Sequence, residues 1–269
     1  MAVRGVSPEF KWSTGGAYAG FVGRWSRLVA AEFVPWLEVP ARETWFDVGC
    51  GTGELTRAIL NLAEPAKVVS LDPSSGFLEH ARATITDARV EFLRGNDQDV
   101  SSLGVTGGAA VFGLVLNFVP DAIGALSAAA AATRPGAVIA AYVWDYAQGM
   151  AMLRAYWDAA VEESPHARAK DEGARFPICH PDALRSTFES AGLTEVSTRP
   201  IDVSGRYADF DEYWTPFLSG EAPAPGYLAS LPAARQERVR ELVHRRLPVA
   251  ADGSISLTCR AWAVRARRP

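Results

Sequence analysis

The residues best placed to do chemistry are three glycines, Gly49, Gly51 and Gly53, in the run Trp45-Phe46-Asp47-Val48-Gly49-Cys50-Gly51-Thr52-Gly53-Glu54. Glycines at this spacing let a chain turn sharply and let its backbone approach a ligand within contact distance. A helix starting near Gly53 would aim its free N–H groups and the positive end of its dipole at that ligand. Such a loop can hold a pyrophosphate or an amino-acid carboxylate; without a ligand it is only a tight strand-to-helix turn. Nineteen residues beyond Gly53 comes Leu71-Asp72-Pro73-Ser74. An acidic residue there can accept hydrogen bonds from ribose hydroxyls, and Asp72 or Ser74 could equally cap a helix. Together the two signals point to nucleoside binding. Glu54 occupies the position where a dinucleotide fingerprint carries Gly or Ala, and its charge would repel a pyrophosphate, which disfavours NAD.

The elements that must position these residues follow from the apolar pattern. Thr44–Val48, Val68–Leu71, Val90–Leu93, Ala110–Leu116 and Ala137–Val143 are short apolar runs that read as buried strands. Helical spacing lies between them, as at Leu55, Ile59, Leu60 and Leu62. Strands alternating with helices imply a parallel sheet covered on both faces, with right-handed crossovers. Upstream, Phe21, Trp25, Leu28, Val29, Phe33 and Leu37 form one apolar stripe, a helix with a possible bend at Pro35. Downstream, Pro181–Ala191 reads as a helix and Leu193–Val203 as a strand. The stretch Pro223-Ala224-Pro225-Gly226 reads as a break before a helix over Pro232–Arg246. Alternation over Ser254–Arg265 suits a last, antiparallel strand.

Composition sets the outer bounds. The chain has 269 residues, 48% hydrophobic and 22% charged, enough to bury a full core. A net charge of −4 and a pI near 5.7 argue against general attraction to nucleic acid or anionic membrane. Cys50, Cys179 and Cys259 are odd in number and widely spaced, so neither a disulfide framework nor a metal spacing emerges. No signal peptide or membrane-spanning run is read, and the expected setting is the cytoplasm.

Phe46-Asp47-Val48-Gly49-Cys50-Gly51-Thr52-Gly53 resembles motif I of the class I, Rossmann-like S-adenosylmethionine-dependent methyltransferases. Leu71-Asp72-Pro73-Ser74 is similar to the acidic motif that follows it. Gly95-Asn96-Asp97-Gln98-Asp99 is similar to the third-strand motif, usually Gly-Asp-Ala, and Leu114-Val115-Leu116-Asn117-Phe118 to the fourth-strand segment. The resemblance implies one α/β methyltransferase domain over 1–269. Its seven-stranded, mostly parallel sheet would run in the order 3-2-1-4-5-7-6, with strand 7 antiparallel and helices on both faces. It implies an N-terminal cap region over 1–38, a cofactor core over 39–146, insertions over 147–180 and 206–252 forming a substrate lid, and a last strand over 254–266. It also implies that S-adenosylmethionine is bound, and S-adenosylhomocysteine left as product, by Tyr18, Arg24, Gly49, Cys50, Gly51, Gly53, Asp72, Pro73, Asn96, Asp97 and Leu116. The family's adenine-facing Asp aligns with Asn96, so either Asn96 or Asp97 meets the adenine amino group.

Methyl transfer from a sulfonium needs alignment and exclusion of water rather than a metal or a covalent nucleophile, and the sequence suggests no metal site. Aromatic residues of the insertions and strand five, Trp144, Trp157, Tyr213 and Phe217, are candidates to line a small, partly apolar acceptor. His180, Asp145 and Tyr146 are candidates for proton transfer; His166 and His244 read as surface or packing residues. Two rival readings are a non-catalytic S-adenosylmethionine or S-adenosylhomocysteine binder and a nicotinamide-dependent reductase. The acceptor and the oligomeric state are left open.

Overall fold

The computed structural model describes residues 22–220 and 222–269. The strands are β1 (Thr44–Val48), β2 (Lys67–Asp72), β3 (Val90–Arg94), β4 (Gly107–Gly113), β5 (Thr133–Trp144), β6 (Thr194–Tyr207) and β7 (Ile255–Arg267). They form one seven-stranded sheet in the order β3-β2-β1-β4-β5-β7-β6. β1 pairs in parallel with β2 and β4, β2 with β3, and β4 with β5. β7 runs against β5: Gly136 N–H donates to Arg268 O and Asp145 N–H donates to Arg260 O, so the register falls along one strand as it rises along the other. This is the class I methyltransferase topology, with helices around the sheet.

The helices are α1 (Arg24–Trp36), α2 (Glu54–Leu62), α3 (Ser75–Thr84), α4 (Ala122–Ala132), α5 (Ala151–Glu163), α6 (Glu172–Arg175), α7 (Pro181–Ser190), α8 (Phe210–Trp214), α9 (Pro223–Ser230) and α10 (Ala233–Arg246). Pro35 sits inside the last turn of α1. The predicted break at Pro223 is instead the start of α9. Proline is tolerated in a first helical turn because its missing N–H has no intrahelical partner there.

The strand predicted over Ala110–Leu116 ends earlier, at Gly113. Leu114 takes φ 57°, a left-handed conformation that a bulky side chain disfavours, and Leu116–Phe118 then form a 3₁₀ turn. The backbone therefore leaves the sheet beside β1, where the strand order reverses and open α/β sheets bind ligands.

The chain divides into two compact units. One holds 26–143, 178–201 and 261–269; the other holds 144–177 and 202–260, with the described residues up to Trp25. The first has a core of sheet residues, including the fully buried Trp45, Phe46, Phe112 and Tyr142. The second is built around aromatic side chains: Tyr156 stacks on Phe217 at 4.8 Å, Phe210 on Trp214 at 5.9 Å, and Tyr207 meets Tyr213 edge-on at 5.4 Å. Among the described residues no helix is long and apolar enough to cross a membrane.

Candidate functional site

The glycine loop connects β1 to α2 and is tied down from the second strand. Gly49 and Cys50 N–H both donate to Leu71 O, at 2.8 and 2.9 Å. Gly51 N–H donates to Asp72 Oδ2 at 2.9 Å, while Ser74 N–H donates to Asp72 Oδ1 at 2.8 Å. The cap of α3 is Ser74, whose hydroxyl accepts from Phe77 N–H. Asp72 is therefore no helix cap. Its carboxylate clamps the apex of the glycine loop to the end of β2, and each oxygen keeps a lone pair for another donor. Burial pushes the Asp72 carboxyl up, and the N–H groups of Ser74 and Gly51 oppose that rise.

The three glycines do different work. A side chain on Gly49 would collide with Val115, and one on Gly53 (φ 90°) with Ile85, so these two permit close packing within the fold. Gly51 has φ 53° and nothing within 4 Å of where a Cβ would project. Its glycine is required by the left-handed backbone and not by a protein neighbour, and the space in front of it is open. Glu54, first residue of α2, turns its carboxylate to Arg27 at 3.4 Å.

Beneath the loop lies a group whose importance sequence reasoning missed. Asp47 is completely buried, and its Oδ2 accepts from Thr56 Oγ1 at 2.6 Å; with its proton so used, Thr56 Oγ1 accepts in turn from Ser70 Oγ at 2.9 Å. Asp47 Oδ1 has no partner. Burial, first, and then the nearby Asp72 push the Asp47 carboxyl up to about 7, against the lowering effect of the Thr56 hydrogen bond. Only the structure supplies that signal, since Thr56 lies nine positions beyond Asp47 and Ser70 a further fourteen, both on other elements. Asn117, after β4, also buries its Nδ2 without an acceptor.

At the third strand the two adenine candidates separate. Asn96 Oδ1 accepts from Gln98 N–H at 2.9 Å, and Asn96 N–H donates to Asp99 Oδ2 at 2.8 Å, so Asn96 is engaged in its own turn. Asp97 is bonded at Oδ2 by Gln98 Nε2 at 3.0 Å, leaving Oδ1 available. Cys50 and Leu116 are buried. Pro73 is exposed, and its carbonyl accepts from Arg94 Nε at 3.3 Å. The loop, Asp72 and the Asn96–Asp97 turn thus stand at the C-terminal ends of adjacent strands in one unit.

The remaining predicted site residues lie elsewhere. Tyr18 is outside the described residues. Arg24 pairs with Glu212 at 3.0 Å, donates to Arg206 O and lies over the Tyr207 ring at 4.7 Å, so its charge is already met. His180 caps α7: its exposed ring accepts from Asp182 N–H at 3.4 Å. Asp145 is buried, and its Oδ1 accepts from Gln148 N–H at 3.0 Å in the turn after β5. Trp144 and Tyr146 flank it, both largely buried. Trp157 donates its indole N–H to Glu172, Tyr213 donates its hydroxyl to Met152 O at 2.7 Å, and Phe217 lies in the aromatic stack. All three are fully buried core of the second unit, with their faces and polar atoms taken by protein. Among the described residues no group of His, Cys, Asp or Glu is placed to hold a metal.

Comparison with known proteins agrees with this geometry. Residues 46–139 match the family model of the methyltransferase domain. A malonyl-[acyl-carrier protein] O-methyltransferase of Acetivibrio thermocellus is 38% identical over 56 residues, 21% of this chain and 20% of that protein, so the chain matches about a fifth of that curated relative. In structure, a protein of Anabaena variabilis assigned as an antibiotic-pathway methyltransferase superposes with TM-score 0.59 at 18% identity, covering 88% of this chain and 96% of the other. Phosphoethanolamine N-methyltransferase 2 of Haemonchus contortus, solved with phosphomonomethylethanolamine and S-adenosylhomocysteine, superposes with TM-score 0.55 at 14% identity, covering 95% of this chain and 57% of the other. Residues 46–139 thus match a methyltransferase domain, set in the sheet order of the class I methyltransferase fold.

Proposed function

We propose that the protein transfers the methyl group of S-adenosylmethionine to a small-molecule acceptor. The observation that carries the reading is the pairing of Gly51 with Asp72. A backbone apex with open space in front of it is fixed to a carboxylate that retains acceptor capacity at the end of the next strand. A ribose diol satisfies those lone pairs, and its donors favour the charged form that burial disfavours. Asp72, joined by Asp47 as that group ionises above about pH 7, gives the loop a negative background, which suits a cofactor carrying an ammonium and a sulfonium. Asp97, with Oδ1 free, is better equipped than Asn96 to accept from the adenine amino group.

When bound, S-adenosylmethionine supplies a methyl group on a good leaving group, and the transfer is an in-line displacement. The chain's part is to hold and orient. Asp72 fixes the nucleoside end, and the N–H groups opening α2 face the amino-acid end. A small-molecule acceptor is favoured by the absence of net positive charge, which a nucleic-acid substrate would call for.

The test has two arms. Calorimetry should show S-adenosylhomocysteine binding at micromolar or tighter affinity, with a concentration-dependent rise in melting temperature. Turnover of labelled methyl donor against a panel of small acceptors then separates an enzyme from a mere binder. No heat and no thermal shift at millimolar ligand would sink the reading.

A further inference from the structure

We propose that the 144–177 segment carries a binding site for an anionic group, carboxylate or phosphate, of a small aromatic or apolar molecule, with Arg175 as its cation. Arg175 ends the four-residue helix α6, and its backbone N–H returns to Asp171 O at 3.1 Å. Its side chain makes no hydrogen bond or ion pair with any described residue, and Nη1 is enclosed without an acceptor. That is unusual for this protein. Arg154, Arg235 and Arg246 of the same unit each meet a carboxylate. A guanidinium nitrogen withdrawn from water without an acceptor is costly and calls for an explanation, while the rest of this half-buried side chain stays accessible.

The neighbouring acids cannot supply it. Asp171 Oδ2 accepts from Arg154 at 2.7 Å and its Oδ1 from Gly173 N–H at 2.8 Å. Glu172 is fully buried and accepts from the Trp157 indole. What Arg175 does have is an aromatic floor. Its guanidinium carbon stands 5.5 Å from the centre of the Phe176 ring, which lies 5.8 Å from that of Tyr146. The ring face stabilises a cation but offers no hydrogen-bond acceptor. A planar fork of donors beside two aromatic rings fits an aryl carboxylate or aryl phosphate: the anion takes the fork and the apolar part lies along the rings. Tyr146 lies two residues past the end of β5, at the strand ends where open sheets receive ligands. No residue of the glycine loop takes part, so the proposal goes beyond the cofactor reading and can fail separately from it.

The full-length protein is titrated calorimetrically at low salt with benzoate, phenyl phosphate and, as the neutral control, benzyl alcohol. Arg175→Gln and Arg175→Lys are titrated alongside, each also with S-adenosylhomocysteine. At least one anion should bind at millimolar or tighter affinity and benzyl alcohol should not; which anion binds separates a carboxylate site from a phosphate site. Arg175→Gln should weaken that anion about tenfold or more, Arg175→Lys less, and neither should alter S-adenosylhomocysteine affinity. Neither variant should melt below the parent, because no hydrogen bond is lost. Binding of neither anion, equal binding by Arg175→Gln, or a variant that unfolds because Arg175 has a structural partner after all would each overturn the proposal.

Discussion

Replacing Asp47 by asparagine removes a carboxylate that the fold holds wholly away from water while keeping its shape. The side-chain oxygen of the replacement can still accept from Thr56, whose hydroxyl lies 2.6 Å from Asp47 Oδ2. In the folded protein Asp47 holds its proton up to about pH 7, against 3.8 for an ordinary aspartate. The sign follows from linkage: between those two values the folded state binds a proton that the unfolded state has lost. Stability from this group is therefore lost as the pH rises from about 4 to about 7, and the penalty is complete above the folded value. At about 1.4 kcal/mol per unit, the shift corresponds to about 4 kcal/mol as an upper bound. Asparagine leaves one N–H₂ group in the position of the unpartnered Oδ1, which returns roughly 1–3 kcal/mol of that gain. Asp47→Asn should accordingly be more stable than the parent at pH 7.5, by about 1–3 kcal/mol, and close to it near pH 4. Urea midpoints for both proteins across that range measure the difference. Glu172, also raised by burial to about 7, titrates in the same window and affects both proteins alike. The gain should carry a functional cost, since a neutral side chain removes part of the negative field near the loop: affinity for S-adenosylmethionine should fall. A variant that is destabilised at pH 7.5, or that keeps the parent's full pH slope, would falsify the account of Asp47 as an uncompensated buried acid.

Asp72→Ala should lose about 2–4 kcal/mol of S-adenosylhomocysteine affinity, because two hydroxyl donors lose a charged acceptor and Gly51 loses its tether; unchanged calorimetric binding in a folded variant would reduce Asp72 to a loop clamp. Gly51→Val should cost about 1–3 kcal/mol of stability through its left-handed backbone but still fold, since nothing lies within 4 Å of the new Cβ, and it should not bind the cofactor; circular dichroism and calorimetry on one sample check both halves. Asp97→Ala should weaken binding by roughly 1–2 kcal/mol through loss of one hydrogen bond to adenine. If Asn96→Ala weakens binding more while leaving the melting temperature intact, the two adenine roles are reversed.

The ligand-facing part of the fold was legible because it is written in short-range pattern. β1 occupies the residues predicted, Thr44–Val48, and β2 and β3 differ only at their ends. A buried parallel strand needs a continuous apolar run, and such a run is visible without any partner. The sheet order came from the family resemblance and not from periodicity. The end of β4 was not legible, because Leu114 adopts a left-handed backbone that its residue type disfavours; only the surrounding structure imposes it.

Side-chain commitments were the least legible, and the reason is physical. A residue type announces what it can bond, but its bonds depend on neighbours brought in from distant segments. Trp157, Tyr213 and Phe217 looked like surfaces awaiting a ligand because they sit in polar, proline-broken stretches. The fold turns them inward on one another and on Glu172 and Met152 O. Arg24 looked free to meet a cofactor carboxylate until Glu212, 188 positions away, is brought to it. Arg175, adjacent in sequence to Phe176 and close to two acids, carries no sequence signal of its own. It is set apart only once those acids are seen to be engaged elsewhere. The same reasoning applies in reverse to Asp47. Its place in the motif was plain, but its proton is held by burial and by the charge of Asp72, against the pull of the Thr56 hydrogen bond, and these partners come from β2 and α2. In this protein the glycine loop is a property of local sequence. The charges that tune it are a property of the packed fold.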